Sequence, residues 1–346
     1  MIYLDTTKSG DASHRSGLTR VTQRLAAALG SAARPARWDE RRSGFVAEDG
    51  AKPERNDWIL TAELFSEEER PGLSAFLARR SCRLAAIFHD AIPLRFPHTT
   101  WPRSVARHPV YLKLLGGFDR VWAVSRASAG DLTGYWHWLG LEPRPPVATV
   151  ELGADFDGAP RARIPTTASR SFVCTGILEP RKNQSFLVDV CSGLWREGLD
   201  FELNLVGRVN PHFGKPILEV IRRAEREFPD RLKYLDAAGD EQLARLLASA
   251  RATVFPTLAE GCGLPLLESL WRGVPCVCSD LPVLRENADG GGCVPIRTSD
   301  ATAWASALRR ILDDDGHHAA LVETALRRPL PSWADTARTL IDGLQN

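Results

Sequence analysis

The sequence predicts an α/β protein built from two doubly wound parallel-sheet domains. The chain has 346 residues, which is more than one ordinary hydrophobic core accommodates. Short apolar runs typical of buried strands alternate with helical patterns, as expected for parallel strands joined by crossover helices. This alternation stops and restarts once, across "GADFDGAPRARIPTTASR" (153–170), which is rich in Gly, Pro and Arg and predicts a linker.

Each series has its own predicted strands and helices. The first has strands at "MIYL", "DWILTA", "CRLAAIFHD" and "RVWAVS", and helices over 17–30 and 126–139. The second has strands at "SFVCTG", "FELNLVG", "LKYL", "ATVFPT" and "PCVCSD", and helices over 184–196, 215–227, 240–250, 264–272 and 301–313. A last helical pattern begins near Ser332. The predicted domains are therefore 1–155, joined by a C-terminal helix over 332–346, and 165–331.

The amino-acid composition indicates a globular protein without a membrane span. With 44% hydrophobic and 25% charged residues, the chain is typical of a globular protein. Its net charge of +1 gives no reason to expect a nucleic-acid partner. No apolar run approaches the roughly 18 residues of a membrane span, and the N-terminal residues do not have the pattern of a signal peptide. We therefore expect a cytoplasmic protein.

The seven cysteines are odd in number and none forms a CxxC pair. Reduced thiols packed as small apolar residues are therefore favoured over a zinc site or a disulfide framework. The cysteines are Cys82, Cys174, Cys191, Cys262, Cys276, Cys278 and Cys293.

The segment "PTLAEGCGLPLLESLWRGVPCVCSD" (256–280) holds the most informative pattern. Glu260 lies in a glycine-rich turn after a predicted strand, and Glu268 lies on the helical run that follows. Ligands of open α/β sheets bind beyond the carboxyl ends of the strands, where helix N-termini attract anions. Carboxylates accept hydrogen bonds from hydroxyl groups. The pattern fits a nucleotide sugar, whereas the alternative is a turn residue and a solvated helix acid.

"EGCGLPLLE" resembles the Glu-x7-Glu donor-site motif of retaining glycosyltransferases of family 4. That family has the GT-B fold, in which two Rossmann-like domains face a cleft. The resemblance covers nearly the whole chain, because further segments match the family's recurring pieces in order. These are "SGLTRVTQRL" (16–25), "FHDAIPLRFP" (88–97), "AVSRASAGDL" (123–132), "VELGAD" (150–155), "TGILEPRKN" (175–183) and "LVG" (205–207).

The resemblance implies a role for each matching residue of the second domain. Glu260 would accept hydrogen bonds from the donor sugar, and Glu268 would bond the ribose. Lys182 and Arg181 would neutralise the diphosphate as it leaves, where negative charge develops. Many relatives carry an Arg directly after the first glycine of this segment, whereas here Ile177 follows Gly176. The remaining implied substrate contacts are the backbone amides of Cys262, Gly263 and Leu264, together with Gly207.

In the first domain, the resemblance implies that His89 lies beside the donor sugar or the acceptor hydroxyl. Asp90 follows it at the end of the same predicted strand and is a candidate substrate contact. Gly17 would let the backbone approach the diphosphate or the acceptor. The alternatives are a structural histidine and an ordinary turn glycine.

The implied function is retaining transfer of a hexose, with mannose from GDP-mannose as the first hypothesis. The acceptor would be a glycan or a lipid-linked saccharide in cell-surface polysaccharide synthesis, such as lipopolysaccharide, and we expect no metal and no cofactor. The basic and aromatic segment 95–115 has the composition by which relatives that act on lipid-linked sugars contact a membrane peripherally; the favoured alternative is an interdomain loop and an amphipathic helix. The alternative function is a catalytically silent GT-B subunit that binds a sugar nucleotide or glycan. A glycosidase and a Rossmann dehydrogenase fit less well, because a cationic loop accompanies the carboxylates and no GxGxxG follows the first strand.

Overall fold

The computed structural model describes residues 1–10, 17–155, 161, 169–236 and 238–345. It divides into two compact units, one of Met1–Gly153 with Pro331–Asn346 and one of Ala154–Leu330. Most of the predicted linker, 153–170, lies outside the described residues.

The described part of the first unit contains a seven-stranded sheet. Its strands are β1 (Ile2–Asp5), β2 (Ala33–Asp39), β3 (Gly44–Ala47), β4 (Trp58–Thr61), β5 (Arg83–Phe88), β6 (Arg120–Ala123) and β7 (Val147–Thr149). Their order is β3-β2-β1-β4-β5-β6-β7, and only the pairing of β2 with β3 is antiparallel among these described strands. The chain reverses its direction of progress between β1 and β4, which makes the carboxyl ends of these two strands the switch point of the sheet.

The described part of the second unit contains a six-stranded parallel sheet. Its strands are β8 (Ser171–Thr175), β9 (Glu202–Val206), β10 (Leu232–Leu235), β11 (Ala252–Phe255), β12 (Cys276–Ser279) and β13 (Cys293–Ile296). The order β10-β9-β8-β11-β12-β13 is that of a dinucleotide-binding sheet. The switch point lies between β8 and β11, so a ligand of this unit is expected at their carboxyl ends.

Helices connect the strands of both units. In the first unit they are α1 (Gly17–Leu29), α2 (Leu73–Arg79), α3 (Ile92–Arg95), α4 (Pro102–Leu115) and α5 (Arg126–Trp138). The second unit contains α6 (Gln184–Arg196), α7 (Gly214–Glu227), α8 (Asp240–Ser249), α9 (Leu264–Trp271), α10 (Pro282–Ala288), α11 (Ala301–Asp313) and α12 (Asp315–Arg327). The last helix, α13 (Trp333–Gln345), belongs to the first unit.

Local sequence explains where these helices begin and which face they bury. On α1, Val21, Leu25 and Leu29 are buried and recur every four residues, which places them on one face of the helix. The hydroxyl of Ser125 accepts the Ser128 N–H at 3.0 Å and caps the start of α5.

The prediction of two doubly wound parallel sheets is confirmed. The sequence pattern did not indicate β2, β3, β7 and β13, which lie at or next to an edge of their sheets and show mixed or exposed burial patterns. Segment 95–115 contains α4, and it belongs to the first unit rather than to an interdomain loop. No helix in the described ranges combines the length and apolar character needed to cross a bilayer.

The prediction for the cysteines also agrees with the structure. All seven lie in described positions and are free thiols, and five of them are buried. Burial raises the pKa of Cys82 to about 11 and that of Cys174 to about 12. These thiols therefore remain protonated at neutral pH and pack as apolar groups.

A buried ionic cluster joins the strand ends at the switch point of the first sheet. Arg70 Nη2 lies 2.6 Å from Asp5 Oδ2 and 3.1 Å from Glu63 Oε2, and these three side chains are at most 4% exposed. Glu63 also accepts the backbone N–H groups of Lys8 and Ser9, at 2.9 and 2.8 Å. Burial first, and then the charge of Asp5, raise the pKa of Glu63. The cluster therefore ties the loop after β1 to the end of β4.

Replacing the cation of this cluster should destabilise the protein. We expect Arg70→Met to lower the free energy of unfolding by about 3–5 kcal/mol, because it leaves two buried carboxylates without their counter-charge. Arg95→Met is the matched control, since the side chain of Arg95 is 56% exposed in its ion pair with Asp131, and exposed pairs contribute about 0–1 kcal/mol. Denaturant unfolding at pH 7 measures both variants, and similar losses would contradict the role assigned to Arg70.

Candidate functional site

The candidate site lies at the carboxyl ends of β8 and β11, the switch point of the second sheet. After β8 the chain continues through Gly176 into a single 3₁₀ turn, Pro180–Lys182. After β11 it continues through Thr257 and Glu260 to the start of α9. Because β8 and β11 are paired neighbours, these two connections lie side by side.

Backbone and side-chain hydrogen bonds join the two connections at Arg181. Its carbonyl oxygen accepts the N–H of Leu258 at 2.6 Å and the hydroxyl of Thr257 at 2.9 Å. Its guanidinium Nη1 donates to the carbonyl oxygen of Ala259 at 3.2 Å. The loop after β11 is thereby held against the 3₁₀ turn.

Glu260 is the centre of a charged network in this loop. Lys182 Nζ donates to Glu260 Oε1, Arg181 Nη1 lies 3.3 Å from the same oxygen, and the Thr257 hydroxyl donates to it at 2.9 Å. The side chains of Glu260 and Lys182 are only 9% and 11% exposed. Within the described part of the chain, no donor contacts the other oxygen, Oε2. One carboxylate oxygen is thus held by the protein and the second remains open to a ligand hydroxyl.

The charges of the network set the ionisation of Glu260. Burial alone would raise its pKa, but the charges of Lys182 and Arg181, with hydrogen bonds from Lys182 and Thr257, lower it below the ordinary value of 4.5. Burial lowers the pKa of Lys182, and the nearby Glu260 carboxylate opposes this effect. Because one carboxylate faces two cations, Glu260 is ionised at neutral pH and acts as a hydrogen-bond acceptor.

Lys182 has a second contact that fixes its position. Its Nζ lies 5.0 Å from the centroid of the Phe255 ring, at the end of β11, within the range of a cation–π interaction. The aliphatic part of the side chain packs near Gly176, where an added Cβ would lie 3.5 Å from Lys182 Cδ.

Two glycines allow the connections after β8 and β9 to approach closely. Gly207 has φ +156°, and a Cβ there would lie 2.0 Å from the Gly176 carbonyl oxygen. Beyond them, Leu178 N donates to Arg208 O at 2.9 Å, and Asn210 N donates to Leu178 O at 3.3 Å. The structure therefore gives Gly207 a packing role, and its substrate contact stays a prediction.

The start of α9 is fixed by a glycine and an amide. Gly263 precedes the helix with φ +80°, in the left-handed region, where a Cβ would lie 2.5 Å from Leu284 Cδ2. Asn287 Nδ2 donates to the carbonyl oxygen of Cys262. Leu264 is the first residue of the helix, so the amides of this turn lie at its positive end.

Glu268 is buried rather than solvated. It is 8% exposed and lines a small cavity together with Thr175 and Phe255, the last residues of β8 and β11. The alternative of a solvated helix acid is therefore wrong. Glu260 and Glu268 both belong to the loop and helix that follow β11.

His89 belongs to the first unit, directly after β5, and is 7% exposed. Its Nε2 donates to the Ala62 carbonyl oxygen at 2.7 Å. Burial lowers the pKa of His89, so the ring is neutral at neutral pH. Because a carbonyl can only accept, Nε2 carries the proton and Nδ1 is the acceptor nitrogen.

Asp90 and Gly17 also lie in the first unit. Asp90 Oδ1 accepts the N–H of Ile92 at 2.9 Å, which caps the start of α3. Gly17 is the exposed first residue of α1. Ser16, which precedes it in the "SGLTR" segment, lies outside the described residues. Substrate contacts by Asp90 and Gly17 stay predictions.

Three residues join the network without having been predicted as site residues: Thr257, Glu179 and Asn210. Glu179 Oε1 lies 2.6 Å from Arg181 Nε, and its Oε2 accepts Asn210 Nδ2 at 3.3 Å. Glu179 lies within the "TGILEPRKN" segment, where a carboxylate next to two cations was a visible signal. Asn210 follows β9, and the sequence around it has no comparable pattern of charged residues. Across the described ranges, no group of three or more His, Cys, Asp and Glu side chains has an arrangement suited to a metal ion.

The chain is similar to known glycosyltransferases. Residues 169–314 match the family Glycosyl transferases group 1. The chain is 32% identical over 246 residues to the serotype-specific mannosyltransferase WbdA of Escherichia coli, a match that covers 66% of the chain and 29% of WbdA. It is 26% identical over 301 residues to the O-antigen chain mannosyltransferase B of Escherichia coli, covering 83% of the chain and 76% of that protein.

The structure of Anabaena HepE in complex with UDP-glucose has a TM-score of 0.74 to this chain at 13% identity, and the match covers 99% of both chains. This likeness concerns the fold. The predicted fold class is confirmed: the chain has the two parallel-sheet α/β domains of the GT-B fold, and the match to Glycosyl transferases group 1 falls within its second unit.

Proposed function

We propose that this chain is a retaining glycosyltransferase of family 4 that transfers a hexose from a nucleotide sugar to a glycan or lipid-linked saccharide. The observation that carries the proposal is the ionised Glu260, held by Lys182 and Arg181 at the switch point of the second sheet. The two mannosyltransferase relatives favour mannose as the sugar, GDP-mannose as the first donor to test, and a cell-surface polysaccharide as the product.

The network supplies the two kinds of group that a nucleotide sugar needs. Glu260 Oε2 accepts a hydroxyl of the donor sugar, since only Oε1 is occupied by protein donors in the described residues. Lys182 and Arg181 bind the diphosphate and stabilise the negative charge that develops as it leaves. The leaving phosphate then accepts the proton of the acceptor hydroxyl on the same face, which retains the anomeric configuration.

Glu268 and the start of α9 bind the rest of the donor. The amides of Cys262, Gly263 and Leu264 lie at a helix N-terminus, which favours an anion through its N–H groups and dipole. Glu268 bonds the ribose from its buried place between the ends of β8 and β11. His89 contacts the donor sugar or the acceptor hydroxyl through Nδ1, because Nε2 is bonded to Ala62.

The enzyme needs neither a metal nor a cofactor, because Lys182 and Arg181 supply the positive charge at the diphosphate. It acts at the cytoplasmic face of the membrane, with peripheral contact through the surface around α4. The exposed side chains of Trp101 and Val110, which are 43% and 48% accessible, support this contact.

A panel of nucleotide sugars tests the proposal. We expect GDP-mannose to raise the melting temperature above the values obtained with UDP-glucose and UDP-N-acetylglucosamine, because a ligand that binds only the folded state stabilises it. Transfer to a mannose-containing oligosaccharide should proceed in the presence of EDTA. NMR of the product should show that the α configuration of the donor is retained. Binding without transfer would favour the catalytically silent subunit. Absence of both would overturn the proposal.

The two glutamates should have different effects on catalysis and binding. We expect Glu260→Gln to lower kcat by roughly ten- to a hundredfold, the effect of losing a charged hydrogen bond of about 1.5–3 kcal/mol. Affinity for the nucleoside diphosphate should be unchanged or tighter, because Lys182 and Arg181 lose a competing carboxylate. Glu268→Ala should weaken nucleoside diphosphate binding instead.

Steady-state kinetics and calorimetric titration separate these effects. Glu197→Gln is the control, since it removes a carboxylate that is 62% exposed in the same unit. Equal losses of nucleoside diphosphate affinity in both site variants would contradict the division of roles.

His89→Ala tests whether the histidine acts in transfer. We expect kcat to fall by about tenfold or more while nucleoside diphosphate affinity stays at the wild-type level, because the ring contacts only the sugar or the acceptor. The melting temperature will also fall, since the bond to Ala62 is buried. His89→Gln offers an amide that can retain a hydrogen bond to Ala62. Full activity per folded molecule in both variants would assign His89 a structural role only.

A further inference from the structure

We propose that Glu179 is a positioning residue that orients Arg181 in the donor site. The proposal rests on the proposed function and adds a residue to that site. Glu179 lies at the start of the 3₁₀ turn, and its side chain is 11% exposed. Its Oε1 is 2.6 Å from Arg181 Nε, while Nη1 of the same guanidinium is 3.3 Å from Glu260 Oε1.

These two contacts fix the plane of the guanidinium. Nε is held by the ion pair with Glu179, and Nη1 is held by its hydrogen bonds to Ala259 and Glu260. These nitrogens belong to one rigid planar group, so holding both leaves it little freedom to rotate. The bonds from Nη1 to Ala259 and Glu260 alone would leave the long side chain free to pivot. The orientation of Arg181 therefore depends on Glu179.

Glu179 is itself held from the other side. Its Oε2 accepts Asn210 Nδ2 at 3.3 Å, and Asn210 is 2% exposed. Asn210 Oδ1 accepts the backbone N–H groups of His212 and Phe213 at 2.9 and 3.2 Å. The carboxylate is thus anchored to the loop after β9, and that loop is paired with the 3₁₀ segment through Leu178.

The negative charge of Glu179 also indicates that this residue acts through Arg181 and not on the ligand. Glu179 and Glu260 together balance the charges of Arg181 and Lys182. A second carboxylate beside a diphosphate site opposes anion binding, because like charges repel. Its benefit must therefore come from orienting the cation, and removal of its charge should affect turnover and affinity in opposite directions.

The test is a double-mutant cycle in the full chain. We expect Glu179→Gln to lower kcat by about tenfold, because the neutral amide cannot form the ion pair that holds Nε of Arg181. The affinity for GDP or UDP, whichever binds the wild type more tightly, should be unchanged or higher. In an Arg181→Lys background, which keeps the charge but lacks Nε, the same substitution should change kcat by less than twofold.

Two further variants separate positioning from stability. Glu227→Gln removes a carboxylate from an exposed ion pair with Arg196 in the same unit and should leave kcat unchanged. Asn210→Ala removes the anchor of Glu179 and should lower kcat in the wild-type background only. If Arg181→Lys turns over too slowly to measure, Asn210→Ala replaces it in the cycle, and Glu179→Gln should change kcat by less than twofold in that background.

Independent, additive effects of the Glu179 and Arg181 substitutions would overturn the inference. So would a Glu179→Gln variant that melts at a lower temperature with wild-type activity per folded molecule. Either result would leave the proposed function intact if the wild type binds a nucleotide and transfers sugar. A wild type that does neither would overturn the proposed function, and with it this role for Glu179.

Discussion

The pairing of Glu260 with Lys182 is the interaction on which the organisation of the second unit's site depends. It joins the segment after β8 to the segment after β11, across the point where the strand order reverses. Both side chains are largely removed from water, so each would be costly there without the other. Their mutual contact, together with Arg181 and Thr257, keeps the Glu260 carboxylate charged in a site that is largely shielded from water. In the proposed function, that carboxylate accepts a sugar hydroxyl through its second oxygen, while the first is held by the protein.

The charged clusters at the switch points of the two sheets differ in burial. In the first unit, Arg70 lies between Asp5 and Glu63, and the cluster is almost completely buried. Glu63 also occupies the N–H groups of Lys8 and Ser9 in the loop after β1, where an anionic ligand would otherwise find donors. In the second unit the charged groups retain partial exposure, and a helix N-terminus lies beside them. The first cluster is suited to holding a loop, and the second to binding a ligand.

Close backbone approach is the second constraint on the site. Gly207 and Gly176 bring the connections after β8 and β9 together, and Gly263 allows the turn before α9. A side chain at Gly207 would collide with backbone atoms, which cannot move aside as a flexible side chain can. These glycines let three loops meet at one edge of the sheet. The charged side chains then lie within hydrogen-bond distance of one another.

The sequence by itself determined the fold class, and it named Glu260, Glu268 and Lys182 as candidate site residues. Buried parallel strands are short apolar runs, and crossover helices have their own period, so both are visible locally. Glu260, Glu268 and Lys182 could be recognised as candidates because the turn and helix signals around them lie in the same short segments of sequence. Only the tertiary structure decided the partnership of Glu179 with Asn210, the burial of Glu268 and the cluster around Arg70. These contacts join residues far apart in the chain, and strand order, which no local pattern encodes, decides which strand ends become neighbours.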